Sequence, residues 1–294
     1  MELFWLIFIL MAGGLLAWIA GRFSDVLPRI VSLLTLAVGF IMTISLWTGM
    51  NDNQQWIREI KLDWIPRFGI HFQLAMDGMS LLLVLLTMFL GLISVVVSWK
   101  EIQTRTGFFH FNLLWVLAGI TGVFLAMDLF LFYFFWEIML IPMYFLIGIW
   151  GHENRKYAAY KFFIFTQAGG LLMFLSILVL YFITGHVDGN YTFDYFAIVA
   201  MFEESAATKW IMVGFLAAFL VKLPAIPLHN WLPDAHTQAP TAGSIVLAGL
   251  LLKTGAYGLI RFIVPLFPEA SQAFAPIAIV VGIIGILYGA KLAF

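Results

Sequence analysis

The 294 residues are 63% hydrophobic and only 11% charged, with a net charge of −1, and their mean hydropathy is +1.01. Soluble domains carry about 25% charged residues, so a soluble fold is excluded, and the near-neutral balance leaves no electrostatic footprint for nucleic acid. With no cysteine there is no disulfide, no iron–sulfur ligation of the usual kind and no cysteine-based zinc site.

A spanning helix needs about 20 mostly apolar residues. Nine segments meet this requirement, at 2–20, 28–48, 78–99, 109–127, 129–149, 162–184, 209–228 (interrupted), 241–262 and 275–294. In lipid the backbone must satisfy its own hydrogen bonds, and no barrel-like alternation is present, so these are helices. The expected fold is an all-α, polytopic membrane bundle. The first segment begins with Glu2 and lacks a basic start, so it reads as a retained helix rather than a signal peptide.

Between the second and third helices, 50–77 is the longest polar stretch, and the alternation in "RFGIHFQLAMD" predicts a short external hairpin. Segments four and five are separated only by Asp128, which predicts a tight turn with the aspartate capping the next helix. "LFYFFW" at 131–136 reads as lipid-facing packing rather than a quinone or retinal box. No soluble domain interrupts the series. The last segment stops at "YGAKLAF" with no polar loop after it, which reads as a C-terminal truncation.

Loop cations set the orientation. Arg22, Arg29, Lys100, Arg105, Arg155, Lys156 and Lys161 fall on one side, while the 185–208 loop holds four acids and no cation. The N-terminus is therefore expected on the outer, periplasmic side, although Arg58, Lys61 and Arg67 run against the trend.

Three charges fall inside apolar segments: Glu137 in "FFWEIML", Lys222 in "FLVKLPAIP" and Lys253 in "GLLLKTGAYG". A rise of about 1.5 Å per residue puts all three near mid-depth of a core about 30 Å thick. Uncompensated, they would cost on the order of 9 kcal/mol. A structural ion pair between helices is one account of them, and protonatable sites on an ion path are the other. Arg261 and Lys291 lie near segment ends and are expected to snorkel.

Pro224 and Pro227 remove amide donors and clash with the preceding turn, so the seventh helix should be discontinuous beside Lys222. Transporters place ion sites at such breaks. His229 and His236 follow at intervals of seven, and histidine titrates near neutrality. Zinc is not expected, because no third ligand accompanies them. A Glu137–Lys222 pair about 4 Å apart would be worth about 4 kcal/mol at an effective dielectric near 20. Moving one group relative to the other would then load and discharge a proton.

"FFWEIMLIPMYFLIGIWG", "KLPAIPLHNWLPDAHTQAPTAGS" and "AGLLLKTGAYGL" closely resemble the antiporter-like, proton-pumping membrane subunits of respiratory complex I (NADH–quinone oxidoreductase), which are similar to the large subunits of Mrp cation/proton antiporters. "WIPRFGIHFQLAMDGMSLLLVLLT" and "GFFHFNLLWVLAGITGVFLAMDLFLFYFFWE" resemble subunit M of bacterial enzymes, the counterpart of mitochondrial subunit 4. The resemblance implies an antiporter-like fold of two inverted five-helix repeats. It places three N-terminal helices and the external 50–77 loop in 1–108, a first repeat in 109–263 and the first helix of an incomplete second repeat in 275–294.

It also implies roles. Lys222 is the central proton carrier, tuned by Glu137. Lys253 feeds protons toward it, and His229 belongs to the connecting chain, with His236 a further candidate from the residues themselves. No cofactor or metal is expected in this chain. The implied setting is the bacterial inner membrane, and the implied partners are the other membrane subunits of complex I, including neighbouring antiporter-like subunits, together with the lipid bilayer and protons. A Mrp-type antiporter subunit and a purely structural membrane subunit are the alternatives.

Overall fold

The computed structural model describes residues 1–48, 55–189, 191–205 and 207–293, so 50–54 of the long polar stretch lie outside it. The expected helices are present: α1 Glu2–Ala20, α2 Leu27–Thr48, α3 Gly78–Glu101, α4 Thr106–Leu125, α5 Leu129–Trp150, α6 Arg155–Asp188, α7 Thr208–Lys222, α8 Thr241–Leu266 and α9 Pro268–Ala293. Among the described residues, eight helices are long and apolar enough to cross a membrane. The exception is α7, which stops at Lys222 after 15 residues.

Two helices begin earlier than the apolar runs. α6 starts at Arg155 rather than 162 because "RKYAAYK" is a good helix former that lies beyond the apolar stretch. α9 starts at Pro268, whose fixed φ and missing N–H suit the first turn of a helix.

α4 is the central helix. Of its most apolar stretch 83% is buried within the chain, against 39% for α1 and none for α9. Glycines let its neighbours approach: a Cβ at Gly119 would lie 2.9 Å from Met139 Cβ. α5 is irregular at Met139, between Leu129–Ile138 and Leu140–Trp150. Pro142 explains this, since it has no N–H for the Ile138 carbonyl and its ring crowds that carbonyl. Most of "LFYFFW" faces inward: Leu131, Phe132, Phe135 and Trp136 are buried, and only Phe134 is exposed. The lipid-facing expectation fails there because an apolar stripe suits a protein interior and lipid equally well.

The predicted hairpin forms and is longer than the alternation suggested. β1 (Arg58–Ile65) pairs antiparallel with β2 (Ile70–Met76). The connecting turn ends at Gly69, whose φ of 63° is readily adopted by glycine. The hairpin caps one end of the bundle. Met127 N–H donates to the Gln73 carbonyl (3.0 Å), and Leu129 N–H donates to the Phe193 carbonyl (2.8 Å).

Asp128 caps α5 as expected, accepting from the N–H groups of Phe130 and Leu131, and also accepts from His71 N–H at 2.9 Å. Asp77 caps α3 through Ser80 N–H at 2.9 Å and forms an ion pair with Arg261. Burial pushes the Asp77 carboxyl up. The hydrogen bond and charge of Arg261, with the Ser80 N–H, outweigh that and hold it below its usual range.

Arg261 therefore does not snorkel. It is 8% exposed and its guanidinium lies over the Trp56 ring, 5.0 Å from the centroid. An anionic partner at the bundle end makes burial cheaper than extension into lipid headgroups. Lys291, in the last turn of α9, is exposed.

Candidate functional site

The site is built around the end of α7. Leu223 N–H still bonds the Phe219 carbonyl at 2.8 Å, and Ala225 N–H bonds the Leu220 carbonyl at 2.9 Å. Helical bonding then stops at Pro224 and Pro227, and a short helix resumes at Trp231–Gln238. Such an interruption frees carbonyls that need other partners. Trp231 Nε1–H donates to the Val221 carbonyl at 2.9 Å, so one side chain beyond the break satisfies the backbone before it.

Lys222, the last residue of α7, is 0% exposed. Its Nζ has no hydrogen-bond partner among the described residues. Instead it lies 5.3 Å from the centroid of the Trp136 ring and 5.7 Å from that of Phe162, within the range of attraction between a cation and a ring face.

Glu137 is the residue after Trp136, on the turn of α5 that precedes the irregularity at Met139. It is half-buried, and its Oε1 is fully buried without a partner. Gln167, Tyr133 and Lys222 face its carboxyl.

α6 makes room for this meeting with two glycines. A Cβ at Gly170 would stand 2.5 Å from Glu137 Oε1, and one at Gly169 would stand 3.2 Å from the Ala218 Cα of α7. Gly255 does the same for α8, where a Cβ would fall 3.1 Å from Lys222 Cβ and 2.6 Å from the Phe219 carbonyl oxygen. Small residues that permit close helix approach are the usual way to build contacts inside a membrane.

The other candidates are placed differently. Lys253 is exposed and donates from Nζ to the Ala248 carbonyl at 2.8 Å. It follows the wide π-helical turn Leu247–Leu251. It also stands two residues, about 200°, round the helix from Gly255, so it faces away from Lys222. His229 lies in the break, with its Nδ1 buried and unpartnered and its ring edge-on to Tyr288 of α9, centroids 5.3 Å apart. His236 sits half-buried on the short helix, whose Asp234 pairs with Lys161 at 2.6 Å. The structure thus leaves Lys222 and Glu137 within electrostatic reach of each other. Among the described residues it forms no ion pair between them within 4 Å, because the Lys222 ammonium end lies against the Trp136 and Phe162 rings. His229 lies in the break against Tyr288, and Lys253 and His236 lie apart.

Gln167 and Tyr133 were not picked out from the sequence. An amide in the apolar run "FFIFTQAGGLL" is costly in lipid without a partner, and that was the available signal. Among the described residues, no group of three metal-ligating side chains is present.

Comparison with known proteins identifies the family. The family model described as NADH:quinone oxidoreductase/Mrp antiporter, TM, matches residues 126–294. NADH-quinone oxidoreductase subunit M of Pseudomonas aeruginosa is 55% identical over 99% of the chain and 60% of its own length. The same subunit of Escherichia coli (strain K12) is 52% identical over 99% of the chain and 59% of its own length. Among solved structures, a chain of respiratory complex I from Thermus thermophilus with bound NADH superposes with a TM-score of 0.79 at 28% identity. That match covers 94% of this chain and 56% of the other. The chain spans about 60% of the length of the curated relatives it matches. It belongs to the family of NADH:quinone oxidoreductase and Mrp antiporter membrane subunits, and nearly all of its sequence is similar to subunit M.

Proposed function

We propose that this chain is a proton-translocating membrane subunit of an NADH–quinone oxidoreductase. The observation that carries the reading is Lys222: a fully buried lysine at a helix break, facing a half-buried glutamate and otherwise surrounded by aromatic rings. A structural lysine would be expected to have its three donors satisfied. A lysine head held only by ring faces, with a carboxylate within electrostatic reach, is poised to gain and lose a partner.

In this reading Lys222 accepts and releases the proton. Glu137 favours the charged lysine when close and disfavours it when drawn away toward Gln167 and Tyr133. If the two groups closed to about 4 Å, the pair would be worth about 4 kcal/mol at an effective dielectric near 20, and doubling the separation would halve that; in this structure they are not within 4 Å. Lys253 would pass protons toward Lys222 along a hydrated path rather than by contact. His229 and His236 would connect the break to the far side. The remaining membrane subunits, including neighbouring antiporter-like ones, would be the partners. The membrane would be the bacterial inner membrane, with the hairpin and N-terminus on its outer side, in keeping with the loop cations.

The test is proton pumping against electron transfer in the assembled complex. Glu137→Gln and Lys222→Ala should each lower pumping at least tenfold while electron transfer is partly retained. Normal pumping by both assembled variants would overturn the assignment. The family also includes Mrp antiporters, and sodium-dependent proton exchange in vesicles would move the reading to that branch.

A further inference from the structure

The second buried acid on α5 lies at its other end. Asp128 is 0% exposed, and its carboxylate already accepts three backbone N–H groups, from Phe130, Leu131 and His71. A cap needs no more than this. Yet the His71 imidazole also stands against it, with Nδ1 4.0 Å from Asp128 Oδ2, and on the far side of the ring Nε2 is 3.6 Å from Asp63 Oδ1. Exposure rises along this line, from 0% for the Asp128 side chain to 20% for His71 and 76% for Asp63.

β2 alternation puts Gln73 on the same face as His71, and Gln73 is 1% exposed with Oε1 unpartnered, as is His71 Nδ1. The remaining charges that face the group are Asp194, bridged through its backbone to Asp128, and Lys61, which pairs with Asp194 at 2.6 Å. Glu59 is taken up by Gln73 Nε2 at 3.2 Å. Among the described residues, no cation is therefore fixed on Asp128 itself.

We propose that Asp128, His71 and Asp63 form a proton-exchange site under the hairpin, separate from Glu137 and Lys222, through which a proton on the buried Asp128 carboxyl equilibrates with the adjoining aqueous phase. The ligand is the proton. It leaves Asp128 Oδ2 for His71 Nδ1, the Nε2 proton passes to Asp63 Oδ1 and then to water, and the ring resets by exchanging tautomers. No electron moves. The gaps of 4.0 Å and 3.6 Å are about 1.1 and 0.7 Å longer than a hydrogen bond and close by rotation of His71 and of the exposed Asp63 side chain. Burial pushes the Asp128 carboxyl up to about 6, against the backbone N–H groups that pull it down and with the Asp194 charge adding to the rise. The site therefore changes charge within a range that cells experience. It does not depend on Glu137 and Lys222 carrying protons.

The experiment is a pH jump from about 7.5 to about 5 on the purified membrane assembly containing the full-length chain, followed by infrared absorption. The protonated-carboxyl band of Asp128 is identified as the one missing in Asp128→Asn, which keeps an acceptor for the cap. The band should grow after the jump in wild type and grow at least about tenfold more slowly in His71→Phe. Added imidazole should restore the rate in His71→Ala, which no purely structural role for His71 predicts. A band that forms equally fast in His71→Phe, or a slow His71→Ala unaffected by imidazole, would overturn the relay. The absence of any Asp128 band near pH 5 would overturn the site itself.

Discussion

Replacing Lys222 by methionine separates a proton carrier from a structural ion pair, because the two roles predict opposite signs for stability. Lys222 is completely buried and, among the described residues, makes no hydrogen bond through Nζ. A charged lysine at mid-membrane costs roughly 2.5–3.5 kcal/mol on insertion scales. Its two ring contacts return about 0.5–2 kcal/mol each. Methionine keeps the volume and the packing against Trp136 and Phe162 and removes the charge. Lys222→Met should therefore be neutral or stabilising by up to about 2 kcal/mol, raising the unfolding temperature by as much as a few degrees. It should lower proton pumping at least tenfold. Glu137, left behind, is half-buried and still has Gln167 and Tyr133 beside it. If Lys222 instead fixed the bundle through a buried pair, removing it would destabilise by about 3–5 kcal/mol. Thermal unfolding in detergent and pumping in vesicles are the paired assays. A loss near 3 kcal/mol with pumping retained would refute the reasoning.

Gly170→Ala places a methyl 2.5 Å from Glu137 Oε1, about 1 Å inside contact distance. It should move the carboxyl and reduce pumping several-fold without altering any charge, and Gly282→Ala, where a Cβ meets nothing within 4 Å, serves as the control. Arg261→Met leaves Asp77 half-buried without its cation and should cost about 3 kcal/mol, while Asp77→Asn with Arg261→Met together should recover part of it, as a double-mutant cycle will measure. The folded Asp128 carboxyl is raised from 3.8 to about 6, so its contribution favours the fold below about pH 4 and is lost as pH rises to about 6. Unfolding free energy should fall by up to about 3 kcal/mol over that range, and Asp128→Asn should remove that part of the slope.

Much of the bundle was legible because hydropathy, helix caps and turn chemistry act locally. The Asp128 turn, the hairpin and the broken α7 each depend on a few neighbouring residues, and each appears as read. Arg261 was misread because its partner, Asp77, is 184 residues away, and nothing near "LIRFIV" distinguishes a buried arginine from a snorkelling one. The inward face of 131–136 was misread for a related reason, since lipid and protein interior look alike to an apolar side chain. In the site, Glu137 and Lys222 were legible as charges in the wrong solvent. Gln167 and Tyr133 were not, because only packing across α5 and α6 brings them to the carboxyl. The irregularity beyond Glu137 was available from Pro142 and was overlooked beside the more obvious prolines of α7.

The Trp231–Val221 hydrogen bond has a consequence for how the break in α7 can work. It closes the ten-residue segment on itself and ties the short helix to the last turn of α7, while Gly255 and Gly169 hold that turn tightly between α8 and α6. A break secured in this way is poorly suited to hinge motion. Movement at the site then belongs to the lysine side chain, a flexible arm on a fixed post, and to the Glu137 turn ahead of Pro142. Trp231→Phe, which keeps the ring and loses the donor, would loosen the post and let proton transfer proceed with poorer timing rather than abolish it.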